Sequence, residues 1–150
     1  MPASVRALAC REVSGDFTAI LAARLESAGS SALEEFSLAA HETGLRAGER
    51  LKAQFRLDSS FADARLAWKI VSRASGMTFT VADCPGRAVF DHLSCPVLQA
   101  GGVRLCENFC LPMVAGLTQA ICPSCGVEIV EPANLQRPCK KALVMKKDCR

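Results

Sequence analysis

Apolar residues in the first half of the chain recur with the spacing of helices. Over 16–26 they fall three or four positions apart and keep one helix face apolar. A second helix is predicted over 31–55, where Ser31 as N-cap and Glu34 form a capping-box pattern. A third helix is predicted from Ser59 or Ser60, as its N-cap, to about position 76.

Two glycines lie on the apolar stripe of the second predicted helix. Gly44 and Gly48 each cost about 1 kcal/mol relative to alanine in a helix interior. Such a cost indicates that a neighbour approaches closely. A helix–helix contact, within the chain or across a dimer, is favoured over a bound ligand.

The second half of the chain changes to the alternation that is typical of strands. Two paired strands are predicted over 77–81 and 87–94, with turn residues between them at Asp83–Gly86. The elements predicted after them are a loop over 99–102, a helix over 111–121 that starts with Pro112, a strand over 127–131, a turn over 132–138 and a last strand over 140–145. This order predicts one α+β domain over 1–150. Its helical part (about 14–75) packs on a mostly antiparallel sheet with one inserted helix (about 77–146).

Composition narrows the class of protein. The chain has 150 residues, half of them apolar, and a net charge of +3, which is too mild to indicate a nucleic-acid partner. The basic residues near the C-terminus, Lys140 and Lys141 among them, are interpreted as a solvated strand face and a loose end. No run reaches the roughly 20 apolar residues of a membrane span. Because Met1–Arg11 lacks a secretory signal, we expect a cytoplasmic protein whose cysteines are ligands or reactive thiols.

The cysteines are the candidate site residues, since seven of the nine lie at or beyond Cys95. The inserted helix separates Cys110 from Cys122 and Cys125 by about 18 Å at 1.5 Å per residue. The next strand runs back along this helix, and the last strand begins near the helix start. One pole is therefore predicted to hold five groups: Cys95, Cys106, Cys110, Cys139 and Glu131.

Three chemistries suit this pole. Three or four thiolates with a carboxylate are typical ligands of tetrahedral zinc, and four thiolates can hold an iron–sulfur cluster. A reactive thiol is the second interpretation, with Cys110 or Cys95 as nucleophile and His92 or Glu131 as base. The third is that the thiols are small buried core residues.

The remaining cysteines carry weaker signals. Cys122 and Cys125 form a CxxC motif that closes a helix, where the helix dipole disfavours a thiolate. A turn containing two thiols is the favoured interpretation, and Cys149 can join this second pole. Cys10 and Cys84 are interpreted as scattered thiols without an assigned role.

The C-terminal half resembles known families. Cys110–Leu117, then Val127–Glu131, then Pro138–Val144 resembles the closing segment of the 4-vinyl reductase domain. Ser94–Pro96 followed by Leu105–Cys110 looks similar to the family labelled L-2-amino-thiazoline-4-carboxylic acid hydrolase. The resemblance covers about 95–144 and implies the fold shared by TRAPP-type subunits and nitric-oxide-signalling ligand-binding domains. It also implies a homodimer with a pocket for a small hydrophobic or aromatic ligand.

The resemblance also implies site residues. In the 4-vinyl reductase domain zinc is held by cysteines and a glutamate, which implies Cys110, Glu131 and Cys139 as ligands here. That domain's further cysteine, soon after the glutamate, is missing near Asn134, so Cys106 or Cys95 has to complete the shell. In the hydrolase-labelled family the matching positions are the four cysteines of the first pole.

Taken together, the sequence predicts a metal-containing, zinc-binding domain for a small molecule, in a sensor or accessory role. The first alternative is a cysteine-dependent hydrolase of a small cyclic amide or thioester. The second alternative is an iron–sulfur or redox module.

Overall fold

The computed structural model describes residues 19–146. The described part of a first helix, α1, covers 19–26. The remaining elements, in chain order, are α2 (Ser30–Phe55), α3 (Phe61–Ala74), β1 (Thr78–Cys84), β2 (Arg87–Ser94), α4 (Pro96–Leu105), a π-helical segment (Cys106–Cys110), α5 (Leu111–Ile121), β3 (Cys125–Glu131) and β4 (Lys140–Met145). Residues Cys10 and Cys149 and the predicted start of the first helix lie outside the described residues.

Helix starts follow the capping chemistry at one site and depart from it at another. The Ser60 hydroxyl accepts the amide of Asp63 at 3.1 Å, which confirms Ser60 as the N-cap of α3. The N-cap of α2 is Gly29, which makes no side-chain capping hydrogen bond. The prediction of Ser31 as N-cap is therefore wrong, because α2 begins at Ser30 and Ser31 already lies within its first turn.

The four strands form one antiparallel sheet in the order β1-β2-β4-β3. Gly86, at φ +67°, supplies the left-handed backbone of the tight turn between β1 and β2. Helices α3 and α5 lie against one face of this sheet, where Trp68 and Phe90 pack with ring centroids 5.0 Å apart. The predicted α+β architecture is confirmed. Within residues 19–146, no helix is long and apolar enough to cross a membrane.

The predicted loop over 99–102 is wrong, since these residues belong to α4. Pro96 occupies the first helical turn, where its missing N–H costs nothing. The glycines interrupt the helix at one point only: Gly102 has φ 65° and ψ −170°, a conformation that glycine adopts without a Cβ clash. The chain bends there and continues through the π-helical segment into α5.

Helices α2 and α5 cross in close backbone contact through glycines. A Cβ built at Gly48 would lie 2.6 Å from Cβ of Ala120 and 2.9 Å from the carbonyl oxygen of Leu117. A Cβ at Gly44 would meet the backbone of Met113 and lie 2.9 Å from the amide of Leu117. The predicted helix–helix contact at both glycines is confirmed, and it lies within the chain. It fixes α5, and therefore the position of Cys110 at its start.

Candidate functional site

Four of the predicted site cysteines come together between the sheet and the helices. Cys95 follows β2, Cys106 and Cys110 bound the π-helical segment, and Cys139 precedes β4. All four are buried, and each of the other three raises the pKa of Cys106. We call these four residues the thiol cluster.

Gly102 explains how Cys106 reaches Cys95. The two cysteines flank the ten residues of α4, which would hold them about 15 Å apart along an uninterrupted helix. The non-helical backbone at Gly102 turns the chain back, and the Cys106 thiol hydrogen-bonds to Cys95. A segment that the sequence presented as a loop thus joins two members of the cluster.

A buried lysine lies beside the thiols. Nζ of Lys141 is 3.6 Å from Sγ of Cys110, and the residue is only 3% exposed. Burial alone would lower the pKa of Lys141, but the nearby Cys110, Cys139 and Cys95 raise it above its ordinary value. The interpretation of Lys141 as a solvated residue is wrong. Strand alternation carries the missed signal, because only one of two consecutive strand lysines can face solvent.

Cys95 is the acidic thiol of the cluster. The hydrogen bond from Cys106 lowers its pKa from 9.0 to about 6, against the opposing effect of burial. Backbone amides of Leu98 and Val97, at the start of α4, and the charge of Lys141 act in the same direction. The pKa of Cys106 is raised, first by its hydrogen bond to Cys95 and then by burial. The two thiols therefore titrate as one coupled pair, in which Cys95 ionises before Cys106.

His92 lies on the buried face of β2. Its Nδ1 is 3.1 Å from the carbonyl oxygen of Cys139, and since a carbonyl only accepts, Nδ1 carries the proton. Nε2 then carries a lone pair. Among the described residues, Nε2 is the one buried side-chain nitrogen or oxygen atom that lacks a hydrogen-bond partner. Burial, followed by the charge of Lys141, lowers the pKa of His92 from 6.5 to about 4. The imidazole is therefore neutral at pH 7.

Glu131 lies apart from the thiol cluster. Its carboxylate pairs with Arg137 at 2.7 Å and with Lys140 at 3.3 Å. A bulge after Ile129 shifts the register, so that Ile129 lies opposite Lys141 and Glu131 lies opposite Lys140. Lys140 and Lys141 point to opposite faces of the sheet. The bulge thus turns Glu131 to the face away from the thiols.

The thiol cluster and its neighbours differ from the zinc ligand set that the resemblance implies. Within residues 19–146, no three His, Cys, Asp or Glu side chains are placed to hold a metal ion. An ammonium group lies next to Cys110, and Glu131 is held in ion pairs. This arrangement does not fit the ligand set Cys110, Glu131 and Cys139 that the resemblance implies, and zinc binding stays a prediction.

A cleft of about 470 Å³ opens beside Cys95. Its wall consists of residues from the end of β2, from α4 and from the turn before β4: Leu93, Ser94, Cys95, Leu98, Gln99, Gly102, Leu135, Gln136 and Pro138. Leu93 and Leu135 are 65% and 86% exposed. Cys95 lines the cleft but is itself only 5% exposed. The cleft offers apolar surface and a few amide and hydroxyl groups to a small molecule.

The CxxC cysteines lie elsewhere. Cys122 and Cys125 follow α5, at the opposite end of that helix from Cys110, and both are 1% exposed. Cys84, at the end of β1, is exposed. A turn at 123–124 separates the two cysteines, and Cys125 is the first residue of β3.

The fold is that of subunits of trafficking protein particle (TRAPP) complexes. The chain is similar to a crystal structure described as a trafficking protein particle complex subunit 3 from Naegleria fowleri covalently bound to palmitic acid. The two chains share 12% identity, and the match covers 93% of this chain and 99% of that one with a TM-score of 0.63. No family model and no curated protein matches the chain.

Proposed function

We propose that this chain is a small-molecule-binding domain that acts through a nucleophilic cysteine. It takes a small thioester or cyclic amide into the cleft and transfers the acyl group to Cys95. One observation carries the proposal: Cys95 is the member of the thiol cluster that lines the cleft. Cys106, Cys110 and Cys139 are not among the residues of the cleft wall, and all three are buried.

The chemistry follows from the protonation state of that sulfur. The Cys95 thiolate attacks the acyl carbon, a sulfur–carbon bond forms, and the bond to the leaving thiol or amine breaks. The leaving group takes a proton from a water in the open cleft, and the hydroxide that remains attacks the carbonyl carbon of the acyl-cysteine. The carbon–sulfur bond then breaks, which releases a carboxylic acid and restores the thiolate.

Neighbouring groups hold Cys95 ready for attack. The Cys106 thiol, the backbone amides at the start of α4 and the charge of Lys141 all lower the pKa of Cys95. A thiolate at a helix N-terminus beside a cation is the usual environment of a reactive cysteine. The similar trafficking subunit is described as covalently bound to palmitic acid, which is a precedent for covalent acyl attachment on this fold.

The test is acyl transfer to Cys95. The purified protein is incubated with N-acetylcysteamine thioesters of acetate and octanoate, and the adduct is mapped by mass spectrometry. We expect one acyl group, on Cys95, and release of free thiol above the background rate. Cys95→Ser should abolish both. Cys84→Ser, which removes the exposed thiol, is the matched control and should change neither.

Iodoacetamide labelling separates binding from reactivity. We expect Cys95 to be labelled with a half-maximal rate near pH 6, while Cys106 stays unlabelled because its pKa is raised. If Cys95 is alkylated no faster than Cys84 at pH 7, the nucleophile proposal is wrong whether or not a thioester binds.

A metal-binding domain is the second candidate. Four buried thiols together with the unshared Nε2 lone pair of His92 favour it. It requires Lys141 to lose its proton or to move, since its ammonium lies beside Cys110. Elemental analysis after anaerobic purification tests this candidate. About one zinc per chain, lost in Cys110→Ala, would replace the nucleophile proposal, and iron with visible absorbance would indicate a cluster protein.

A homodimer and a cytoplasmic location complete the proposal. The resemblance implies the dimer, and the sequence predicts the location. Light scattering coupled to size-exclusion chromatography should give twice the mass of one chain. A monomeric mass at micromolar concentration would remove the dimer from the proposal and leave the cysteine chemistry untouched.

A further inference from the structure

The CxxC motif forms a second sulfur site, independent of the thiol cluster. Sγ of Cys122 and Sγ of Cys125 are 2.7 Å apart, at the junction between α5 and β3. The amide of Cys125 donates to the carbonyl oxygen of Cys122 at 2.8 Å and closes a four-residue turn. The proposed acyl chemistry at Cys95 uses neither thiol.

The backbone of this turn suits a disulfide. A hydrogen-bonded turn of four residues holds its end Cα atoms within about 7 Å, and a disulfide needs about 4.4–6.8 Å. The side chains of Cys122 and Cys125 already face each other. A bond between them therefore needs no rearrangement of α5 or β3.

The surroundings give the reduced pair little stabilisation as a thiolate. Burial, and then the hydrogen bond with Cys122, raises the pKa of Cys125 to about 12. Both thiols follow the C-terminal end of α5, where the helix dipole opposes negative charge. Disulfides become strong oxidants when their reduced form is stabilised as a thiolate, whereas Cys125 is stabilised as the neutral thiol despite the nearby charge of Lys146.

We propose that Cys122 and Cys125 form a disulfide that ties the end of α5 to the start of β3. The oxidant is a small disulfide such as glutathione disulfide. Local opening of the turn exposes one cysteine sulfur, which is buried in the closed fold. That sulfur attacks the oxidant and releases one glutathione, and the other cysteine sulfur then displaces the second glutathione. One sulfur–sulfur bond forms in the protein, one breaks in the oxidant, and the two thiol protons leave with two glutathione molecules.

The disulfide lies at the C-terminal end of α5, and Cys110 of the thiol cluster lies at its N-terminal end. Helix α5 runs from the residue after Cys110 to the residue before Cys122 and crosses α2 at the glycines. Oxidation fixes its C-terminal end to the sheet and leaves Cys110 unchanged. The disulfide therefore changes the stability of the fold and not the protonation of Cys95.

The test is disulfide mapping on the folded protein. After equilibration with glutathione disulfide, the chain is denatured, alkylated with iodoacetamide and cleaved after Met113 and after Glu128. The fragment over 114–128 contains Cys122 and Cys125 and no other cysteine. We expect this fragment to be two hydrogens lighter than the reduced form and free of alkyl groups. The oxidised protein should melt about 4–8 °C higher than the reduced protein, from the entropy of closing a short loop.

Other results overturn the proposal. Two alkyl groups, or a glutathione adduct, on the 114–128 fragment would show that the pair does not close. The double variant Cys122→Ser/Cys125→Ser should lose the difference in melting temperature, and a difference that persists would place the effect elsewhere. Should this variant not fold, mapping of the natural chain still decides. Disulfide formation without acyl transfer to Cys95 would refute the proposed function alone, because the two sites share no residue.

Discussion

Replacing Gly48 by alanine tests whether the α2–α5 crossing holds the site in place. In a solvent-exposed helix the change would stabilise the protein by about 1 kcal/mol, since alanine is the better helix former. Here the new Cβ would lie 2.6 Å from Cβ of Ala120 and 2.9 Å from the carbonyl oxygen of Leu117. The sign of the effect therefore depends on the contact and not on helix propensity.

The magnitude follows from these distances. Two carbon atoms pack at about 3.5–4.0 Å, so the helices have to separate by about 1 Å. Overpacking costs about 1–3 kcal/mol, and neither the backbone oxygen of Leu117 nor Cβ of Ala120 can rotate away, which favours the upper end. After subtraction of the propensity gain, we expect a net destabilisation of about 2 kcal/mol and a melting temperature lower by about 4–8 °C.

Urea denaturation and thermal melts followed by circular dichroism measure this change. Gly126→Ala is the matched control, because its Cβ would meet Lys146 at 3.5 Å, an ordinary contact. We expect the control to stay within about 0.5 kcal/mol of the natural chain. If Gly48→Ala is as stable as the natural chain or more so, the close crossing of α2 and α5 is not present in solution.

Three further substitutions probe the buried polar groups. Burial lowers the pKa of His92 from 6.5 to about 4. The neutral ring therefore contributes to the free energy of unfolding above pH 6.5, and this contribution is lost as the pH falls toward 4. The loss is about 3 kcal/mol at most. His92→Asn should flatten this dependence in urea titrations between pH 4 and 7, and an unchanged slope would contradict the assignment. Lys141→Met should move the pH profile of Cys95 alkylation to higher pH, by up to about 1 unit, and a fixed profile would show that the ammonium does not act on this thiol. Thr118→Val removes the hydroxyl acceptor that lies 2.8 Å from Nε1 of Trp68 and should lower the free energy of unfolding by about 1–3 kcal/mol. Trp fluorescence during unfolding measures this change. An unchanged free energy of unfolding would show that the indole finds another acceptor.

Much of the fold could be predicted from the periodicity of apolar residues and from the glycines and prolines that end helices and strands. The bounds of β2, α5 and β4 agree with the sequence prediction, because turn glycines and prolines limit each of these elements. The two glycines of α2 predicted a close contact, since nothing else accounts for their cost in a helix. The segment over 99–102 misled the prediction because a glycine pair is typical of loops, whereas here only Gly102 leaves the helical conformation.

The site was predicted in part. Chain direction was enough to bring the four cysteines to one end of α5, because direction depends only on the order of elements. It could not decide which face of the sheet a side chain takes. A single extra residue after Ile129 reverses the alternation and moves Glu131 away from the thiols, and no periodic pattern reveals such a bulge in advance. For the same reason the sequence did not reveal that Lys141 is buried, since the adjacent Lys140 carries the same charge and either residue could face the solvent.

The ammonium of Lys141 limits how much charge the thiol cluster can hold. Three of the thiols, those of Cys95, Cys110 and Cys139, lie near this one buried cation, and a charge on Cys95 raises the pKa of Cys106 and of Cys139. A first thiolate is balanced, while a second would stand uncompensated in a region with little water. The cluster therefore holds one negative charge, which Cys95 takes first. An alkyl or acyl group on Cys95 removes that charge and leaves Lys141 as a buried cation without its counter-charge.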